Sequence, residues 1–251
     1  MSESVWILII SLGAMIGGVA VGSWLRDRLP EHHLADRASG VIKSGVGLIS
    51  TLAALILGLL ISTAKISYDS TASQVGQIAS DLVLLDQELT EYGAAAYGAR
   101  EALRDQSVAL ATSIWADNKP RHHAFVASGA WRRFSIAMQQ LPDTTDQQRY
   151  LRKQIDEIVS RSAQARVRLF SDAGSALPTP FLVLLVFWLT IIFASYSILG
   201  EMNLTVRVFV VLFALSSASA LFLIAELNSP FSGLLKLPQG QISQALAPLS
   251  K

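Results

Sequence analysis

The chain lacks cysteine altogether, and this absence excludes several kinds of chemistry. Disulfide bonds, thiol catalysis and thiolate metal sites all require cysteine side chains. The four histidines form two adjacent pairs, His32–His33 and His122–His123, and no acidic residue stands three or four positions from the second pair. Adjacent side chains on a helix point about 100° apart, so neither pair is arranged to hold one metal ion. We predict no metal site and assign the histidines to exposed loops.

Sequence signatures of enzymes are also missing. The chain has no Walker-type glycine-rich loop, no G-x-S-x-G element and no H-E-x-x-H pair of zinc-binding histidines. No charged side chain interrupts the four long apolar stretches, which argues against a proton relay through a membrane. We therefore predict that the protein is not an enzyme and that it needs no cofactor.

Charged side chains are scarce, since Asp, Glu, Lys and Arg together make up 16% of the residues. A soluble domain usually carries about 25%. Hydrophobic residues make up 51%, and the mean hydropathy is +0.43. This composition indicates a membrane protein in contact with membrane lipid. The net charge of +1 provides no general attraction for nucleic acid, and we predict none as a partner.

Four uncharged apolar stretches each approach the roughly 20 residues that a helix needs to cross a bilayer. They cover residues 5–25, 44–64, 181–200 and 208–225. The sequence therefore predicts an all-α membrane protein with four transmembrane helices in two hairpins and a long helical soluble insert between spans 2 and 3. The predicted organisation is a first hairpin over 1–65, a soluble helical region over 66–177, a second hairpin over 178–226 and a tail over 227–251.

Four glycines in the first span form two successive pairs with a spacing of four residues within each pair: Gly13 with Gly17, and Gly18 with Gly22. Lipid provides no hydrophobic drive for helix association, and small residues at such spacing let two helix backbones approach closely. We predict that this face of the first span packs against another transmembrane helix.

The second span is followed by neither proline nor a cluster of helix-stopping residues. Apolar residues continue at alternating steps of three and four, which predicts a helix packed along a seam. We expect one helix, or two nearly collinear helices, from Ser44 to Leu103, with a bend along its length. The seam suits a coiled coil between copies of the chain and equally a helix packed in its own soluble bundle. Its members are Val75, Ile78, Leu82, Leu85, Leu89, Tyr92, Ala96, Ala99 and Leu103.

The remainder of the insert is also predicted to be helical, because no segment alternates over a useful length with the period of two that strands show. We expect a second helix over 121–141, ended by Pro142. Thr145 and Gln148 have the spacing of a capping box at the start of a third helix. The apolar edge of this third helix consists of Leu151, Ile155, Ile158, Ala165 and Leu169.

One face of the second span, which we name the stripe, carries small or hydroxyl side chains at steps of three and four. The stripe consists of Ser44, Gly47, Thr51, Ala54, Gly58 and Ser62, and continues to Lys65 and Asp69. It suits a close contact with a neighbouring helix. It also suits the lining of a narrow pathway where several copies meet, with Lys65 and Asp69 as a charged ring at one mouth. A single chain cannot enclose such a pathway, so the second interpretation requires a homo-oligomer.

The basic residues near the membrane do not decide which side the insert occupies. Cytoplasmic loops normally carry the excess of lysine and arginine. Here the two sides are equal. One has Arg26, Arg28, Arg37, Lys43 and Arg207, and the other has Lys65, Arg161, Arg166, Arg168 and Lys236.

The tail after the fourth span mixes turn-forming and apolar residues. Pro230 and Gly233 predict turns. The apolar residues of the tail need cover from solvent: Phe231, Leu234, Leu235 and Leu237. We predict that the tail folds back against the membrane face or the helical region, and that residues 239–250 add a short terminal helix.

This layout and tail resemble the bestrophin-like domain family of bacterial membrane proteins. The resemblance rests on four spans split two and two around a helical insert, and on an acidic-Leu-x-x-Pro-Phe-x-Gly-Leu motif after the last span. The matching residues are Glu226, Leu227, Pro230, Phe231, Gly233 and Leu234, followed by residues 242–246. The chain departs from the family at residues 71–74, where Thr-Ala-Ser-Gln stands in place of a frequent Glu-Ala pair.

The resemblance implies a channel, because the related bestrophins are pentameric anion channels with cytoplasmic termini whose second span lines the pore. For this chain it implies a homo-oligomer, a pentamer on this ground alone, with a pore helix over 44–65 and a permeant ion. It further implies a multi-pass protein of the bacterial inner membrane, with residues 66–177 and both termini in the cytoplasm. The bestrophin neck is ringed by bulky apolar residues, whereas the stripe is small and hydroxylated, so the gate and the ion selectivity do not transfer.

Two hypotheses of function follow. The first is an oligomeric ion channel of bestrophin-like architecture with a pore lined by the second span. The second is a membrane-anchored helical scaffold or sensor that binds a protein partner through its soluble helices and conducts no ions. Flux through purified protein distinguishes them, whereas self-association alone does not.

Overall fold

A computed structural model of the chain describes residues 3–29, 36–115, 129–172, 179–200 and 203–238. Both histidine pairs and the predicted terminal helix over 239–250 lie outside these residues. The secondary structure of the described ranges is helical, without β-strands. Its helices are α1 (Glu3–Arg28), α2 (Asp36–Tyr92), α3 (Tyr97–Trp115), α4 (Ala130–Gln139), α5 (Asp146–Asp172), α6 (Thr179–Leu199) and α7 (Leu204–Leu227), with a 3₁₀ turn at Ala94–Ala96.

The chain forms two compact units. The first comprises residues 1–67 and 176–229, and the second comprises residues 68–175 and 230–251. We call them the apolar unit and the helical unit.

Four helices in the described part of the chain are long and apolar enough to cross a membrane, by length and composition. The qualifying segments are Ser4–Arg28, Gly40–Tyr92, Pro180–Leu199 and Leu204–Leu227. They contain the predicted apolar stretches 5–25, 44–64 and 208–225, and all but the last residue of 181–200. Large apolar side chains on these helices are widely exposed, among them Ile10, Val183, Phe187 and Phe213. Such exposure suits helices whose outer surface meets lipid.

Helix α1 packs against α6 through two of the four glycines. A Cβ atom added at Gly22 would lie 2.3 Å from the carbonyl oxygen of Ala194, and one added at Gly18 would lie 2.7 Å from that of Thr190. The contact also includes a hydrogen bond between the hydroxyls of Ser23 and Ser197. The backbones of α1 and α6 therefore approach as closely as a glycine pair permits.

The other glycine pair has no such contact, since no atom lies within 4 Å of a Cβ built at Gly13 or Gly17. The two pairs point in different directions around α1, because one residue along a helix corresponds to a rotation of about 100°. Gly18 and Gly22 face α6, whereas Gly13 and Gly17 face open space in the single chain.

We expect Gly22→Ala to destabilise the protein and Gly13→Ala to leave its stability nearly unchanged. The added methyl group at Gly22 meets backbone atoms of Ala194 that cannot rotate away, so α1 and α6 must separate. Forced overpacking of this kind typically costs about 1–3 kcal/mol. Thermal unfolding of both variants in detergent measures the difference, and equal melting temperatures for the two variants would contradict this account of the α1–α6 contact.

Helix α2 is continuous for 57 residues, from Asp36 to Tyr92, and ends at Gly93. Gly93 has φ 88°, a conformation that other residues rarely adopt. Beyond it, Arg100 Nε donates a hydrogen bond of 2.8 Å to Asp86 Oδ1, although the two residues are 14 positions apart. In an uninterrupted helix they would be about 21 Å apart. The expectation of one helix or two nearly collinear helices up to Leu103 is therefore wrong, because the chain changes direction at Gly93.

The predicted seam is buried within the helical unit. All nine of its members belong to one hydrophobic core, together with the apolar edge of α5 and with Phe134 and Met138 of α4. Of the two uses left open for the seam, the structure favours packing in its own bundle over a coiled coil between copies.

The predicted capping box at the start of α5 is confirmed. The backbone N–H of Gln148 donates to Thr145 Oγ1 at 3.1 Å, and the backbone N–H of Thr145 donates to Gln148 Oε1 at 3.2 Å. Two N–H groups that would otherwise be unpaired at the helix start are thereby satisfied. The expected helix over 121–141 is described only in part, as α4, and Pro142 follows its end.

Buried charges tie the helices of the helical unit together. Asp81 on α2 is fully buried and pairs with Arg161 on α5 at 2.9 Å, while the side-chain amide of Gln77 donates to the same carboxylate oxygen at 2.9 Å. Arg166 is also buried, with its guanidinium 4.2 Å from the ring centre of Trp131. Burial lowers the pKa of Arg166 to about 10, so its guanidinium stays protonated at neutral pH and its charge interacts with the indole face.

Candidate functional site

The stripe on α2 is uncovered in the single chain. All eight of its residues, from Ser44 to Asp69, are exposed, and no atom lies within 4 Å of a Cβ built at Gly47 or Gly58. The side of α2 that packs against the rest of the apolar unit is a different one, on which Ala53, Leu60 and Ala64 are buried. The stripe is therefore a surface that the chain itself leaves open.

Two of the three hydroxyl groups of the stripe donate hydrogen bonds within the helix. Ser44 Oγ donates to the Gly40 carbonyl and Thr51 Oγ1 donates to the Gly47 carbonyl, each at 3.0 Å. Their oxygen atoms keep lone pairs that water or another donor can use. At these two positions the stripe can thus line a wet pathway or contact a helix without leaving the hydroxyl donor unsatisfied.

A second exposed face of α2 is purely aliphatic. Leu48, Leu55 and Leu59 are 64%, 66% and 65% exposed, and Leu52 between them is also exposed. We name these four residues the leucine ridge. They lie about 85° around the helix from the stripe, at 100° per residue. The ridge offers nothing to an ion, and it suits lipid or an apolar partner.

A crevice separates α2 from α6 and α7 on the other flank of the stripe. It consists of two adjoining cavities of about 490 and 330 Å³ that share Ser50 and Tyr196. Lys43 and Gly200 are among the residues that line the larger cavity. The smaller one is mainly aliphatic and aromatic, and its walls include Ala53, Ala54, Leu57, Leu185, Leu189 and Phe213. Two stripe residues, Gly47 and Ala54, border the crevice.

Lys65 and Asp69 extend the stripe beyond the uncharged part of α2, and both are exposed. They are four residues apart, so they occupy neighbouring positions on the same face. One basic and one acidic group at this level give no net preference for either sign of ion. The two opposite charges therefore suit the mouth of a pathway more readily than a selectivity filter.

The first two residues of the tail motif end α7. Glu226 and Leu227 are both buried, and the backbone N–H of Ser229 donates to the Glu226 carbonyl at 3.0 Å. The acidic residue of the motif therefore belongs to the packed end of a helix.

The remaining motif residues form a closed turn on the helical unit. The backbone N–H of Leu237 donates to the Pro230 carbonyl at 2.7 Å, and Gly233 inside this turn has φ 82°. Phe231 is buried edge-on against Trp115, with ring centres 6.2 Å apart, and Trp115 Nε1 donates to the Leu237 carbonyl at 3.4 Å. Phe231 and Leu237 of the tail lie in the hydrophobic core of the helical unit. Leu234 remains exposed.

The sequence did not indicate the crevice, or that the leucine ridge lies on the opposite flank of the stripe from it. The leucines are visible in the sequence, but the crevice depends on how α6 and α7 dock beside α2. Sequence reasoning also missed the arginine partners of the buried Asp81 and Asp86. A usable signal was their position next to the seam residues Leu82 and Leu85, where a carboxylate requires a paired cation.

The match to a known family extends over nearly the whole chain. The sequence profile of the bestrophin-like domain matches residues 4–239, which includes all four apolar helices, the insert and the tail motif. The chain belongs to the bestrophin-like domain family. The family resemblance seen in the sequence is thereby confirmed, and the protein is a helical membrane protein.

Solved structures share the fold of this bestrophin-like chain. A variant of a bacterial bestrophin homolog from Klebsiella pneumoniae superposes with a TM-score of 0.74 at 14% identity, over 99% of this chain and 97% of that one. A second variant of the homolog gives 0.66 at 17% identity, over 99% and 98%. A structure described as a membrane protein gives 0.68 at 14% identity, over 98% and 97%. A search of curated proteins found no match.

Proposed function

We propose that this bestrophin-like protein is an oligomeric ion channel whose pore is lined by the second span, residues 44–64 of α2. The stripe faces the axis of a homo-oligomer, and Lys65 and Asp69 form a charged ring at one mouth. The four apolar helices cross the membrane as two hairpins, 1–65 and 178–226. The helical region over 66–177 continues from the second span outside the lipid.

The observation that carries this proposal is the open stripe. From Ser44 to Lys65 it extends over about 32 Å of helix, which matches the roughly 30 Å hydrocarbon thickness of a bilayer. Over this length every stripe residue is exposed and none is larger than threonine before Lys65. Aliphatic residues on the neighbouring ridge suit lipid far better than a row of glycine, serine and threonine does. The stripe is therefore the exposed face of α2 that is least suited to contact with lipid.

A pore requires several copies of the chain, because one helix face cannot surround a pathway. Related copies around an axis place the same stripe at the same depth in each subunit. The fold is shared with bacterial bestrophin homologs, and bestrophins are oligomeric channels; on this likeness we propose a pentamer. On the same ground we place the protein in the bacterial inner membrane, with the helical region and both termini in the cytoplasm.

Flux through purified protein in liposomes tests the proposal. We expect the full-length protein to release trapped halide or alkali cation faster than protein-free liposomes. Both ion types must be measured, because Lys65 and Asp69 together favour neither sign. Silence for both across a range of pH, from a preparation that is oligomeric, would contradict a channel. It would favour a membrane-anchored scaffold or sensor that binds a protein partner, which stoichiometric crosslinking would then identify.

A further inference from the structure

The leucine ridge and the crevice lie on opposite flanks of the stripe. At 100° per residue, the centre of the ridge is about 85° to one side of the stripe, and the α2 residues that border the crevice are centred about 85° to the other side. If the stripe faces an axis, the ridge and the crevice consequently face the two neighbours in a ring. One neighbour meets a projecting row of leucines, and the other meets a hollow.

The ridge and the crevice also share the same depth along α2. The ridge occupies residues 48–59, and the crevice runs from Lys43 to Leu57. A cyclic oligomer in a membrane rotates each copy about the membrane normal, which leaves the depth of every residue unchanged. A surface on one copy can meet a different surface on the next copy only where the two depths agree. Here they agree over about three turns of helix.

We propose that the leucine ridge of one copy fills the crevice of the next copy, in a head-to-tail contact that closes a ring around the stripe. This inference rests on the proposed function, because it takes the stripe to face the axis. The walls of the crevice suit such a guest. Gly47, Ala53 and Ala54 let a second helix backbone approach α2 closely, and Leu57, Leu189 and Phe213 supply apolar contacts.

The spacing of the leucine ridge is that of a helix-packing surface, which favours a copy of the chain over lipid as the occupant of the crevice. Helices pack when a row of side chains spaced by three and four residues enters a groove of similar spacing. The ridge has this spacing, with steps of four, three and four from Leu48 to Leu59. The contact is heterologous, since it joins two different surfaces, and it therefore propagates from copy to copy until the ring closes.

Paired cysteines test the contact directly, because the native chain contains no cysteine. One variant carries Leu55→Cys with Leu189→Cys, and another carries Leu48→Cys with Tyr196→Cys, at the other end of the crevice. Within a single chain the two thiols of either variant cannot bond, because ridge side chains point away from the crevice. Oxidation in native membranes is expected to give a ladder of covalent dimers, trimers and larger species that ends at the closed ring and collapses with reductant.

Single-cysteine variants are the matched controls and are expected to give no covalent species. A variant with Leu48→Cys and Leu189→Cys, whose α2 position is displaced by about 10 Å, should likewise give none. Two results overturn the proposal. One is a dimer from Leu55→Cys alone, which means that ridge meets ridge. The other is the absence of a ladder from both depth-matched pairs although the particle is oligomeric, which means that lipid or another surface fills the crevice.

The crosslinking test of this contact and the flux test of the proposed channel can fail independently. A ladder without ion flux supports the ring contact and contradicts the channel. Flux without a ladder supports the channel and contradicts this contact.

Discussion

Thr51→Trp is expected to reduce ion flux by about tenfold or more while the oligomer persists, because bulky apolar groups in a narrow pathway exclude water and ions. Thr51 lies near the middle of the stripe and is exposed in the single chain. In a ring every copy contributes one indole at the same level. The added side chains therefore converge on the axis, and they meet neither the leucine ridge nor the buried side of α2. Liposome flux and particle mass, measured on the same preparation, give the result.

Val183→Trp is the matched control, because it adds the same indole to an exposed apolar position on α6, away from the stripe. We expect its flux to equal that of the native protein. If Thr51→Trp instead breaks the oligomer apart, the stripe is a packing face between helices. If it leaves both flux and mass unchanged, the stripe faces neither a pathway nor a partner. Either result removes the basis for a pore along α2.

The parts of this fold that follow from local sequence were predictable. Hydrophobic length predicted the apolar helices, and alternating steps of three and four predicted the buried seam. The capping residues Thr145 and Gln148 predicted the start of α5. The end of α2 at Gly93 was not predicted, because an isolated glycine within a helical pattern is often tolerated. Only its positive φ, together with the pairing of Asp86 and Arg100, reveals the change of direction.

The candidate site was predictable on one face only. The stripe is a property of one helix, so its residues could be read from their spacing along α2. The crevice requires three helices, and the residues of α6 that border it, such as Leu189, lie more than 120 positions beyond those of α2. Nothing local in the sequence indicates which apolar residues of α6 and α7 leave a hollow beside α2. For the same reason, the partner of Asp81 was not apparent at 80 positions distance.

Arg161→Met is expected to destabilise the helical unit by about 3 kcal/mol, the lower end of the cost of removing one partner from a buried ion pair. The two partners are unequal, since the side chain of Asp81 is 0% exposed and that of Arg161 is 52% exposed. Loss of the arginine leaves a fully buried carboxylate that retains the Gln77 amide as a donor. Loss of the carboxylate leaves an arginine that water can reach. We therefore expect Asp81→Asn to cost less than Arg161→Met.

Denaturant unfolding of the full chain in detergent measures these free energies, and Arg149→Met provides the control on the same helix. Arg149 forms an exposed pair with Asp146, so its loss should change stability by less than about 1 kcal/mol. Combining Asp81→Asn with Arg161→Met removes the uncompensated charge, and the double variant should be more stable than Arg161→Met alone. If Arg161→Met costs no more than Arg149→Met, Asp81 does not depend on Arg161. The junction between α2 and α5 then rests on its apolar contacts, because Ile78, Leu82 and Ile155 remain buried beside it.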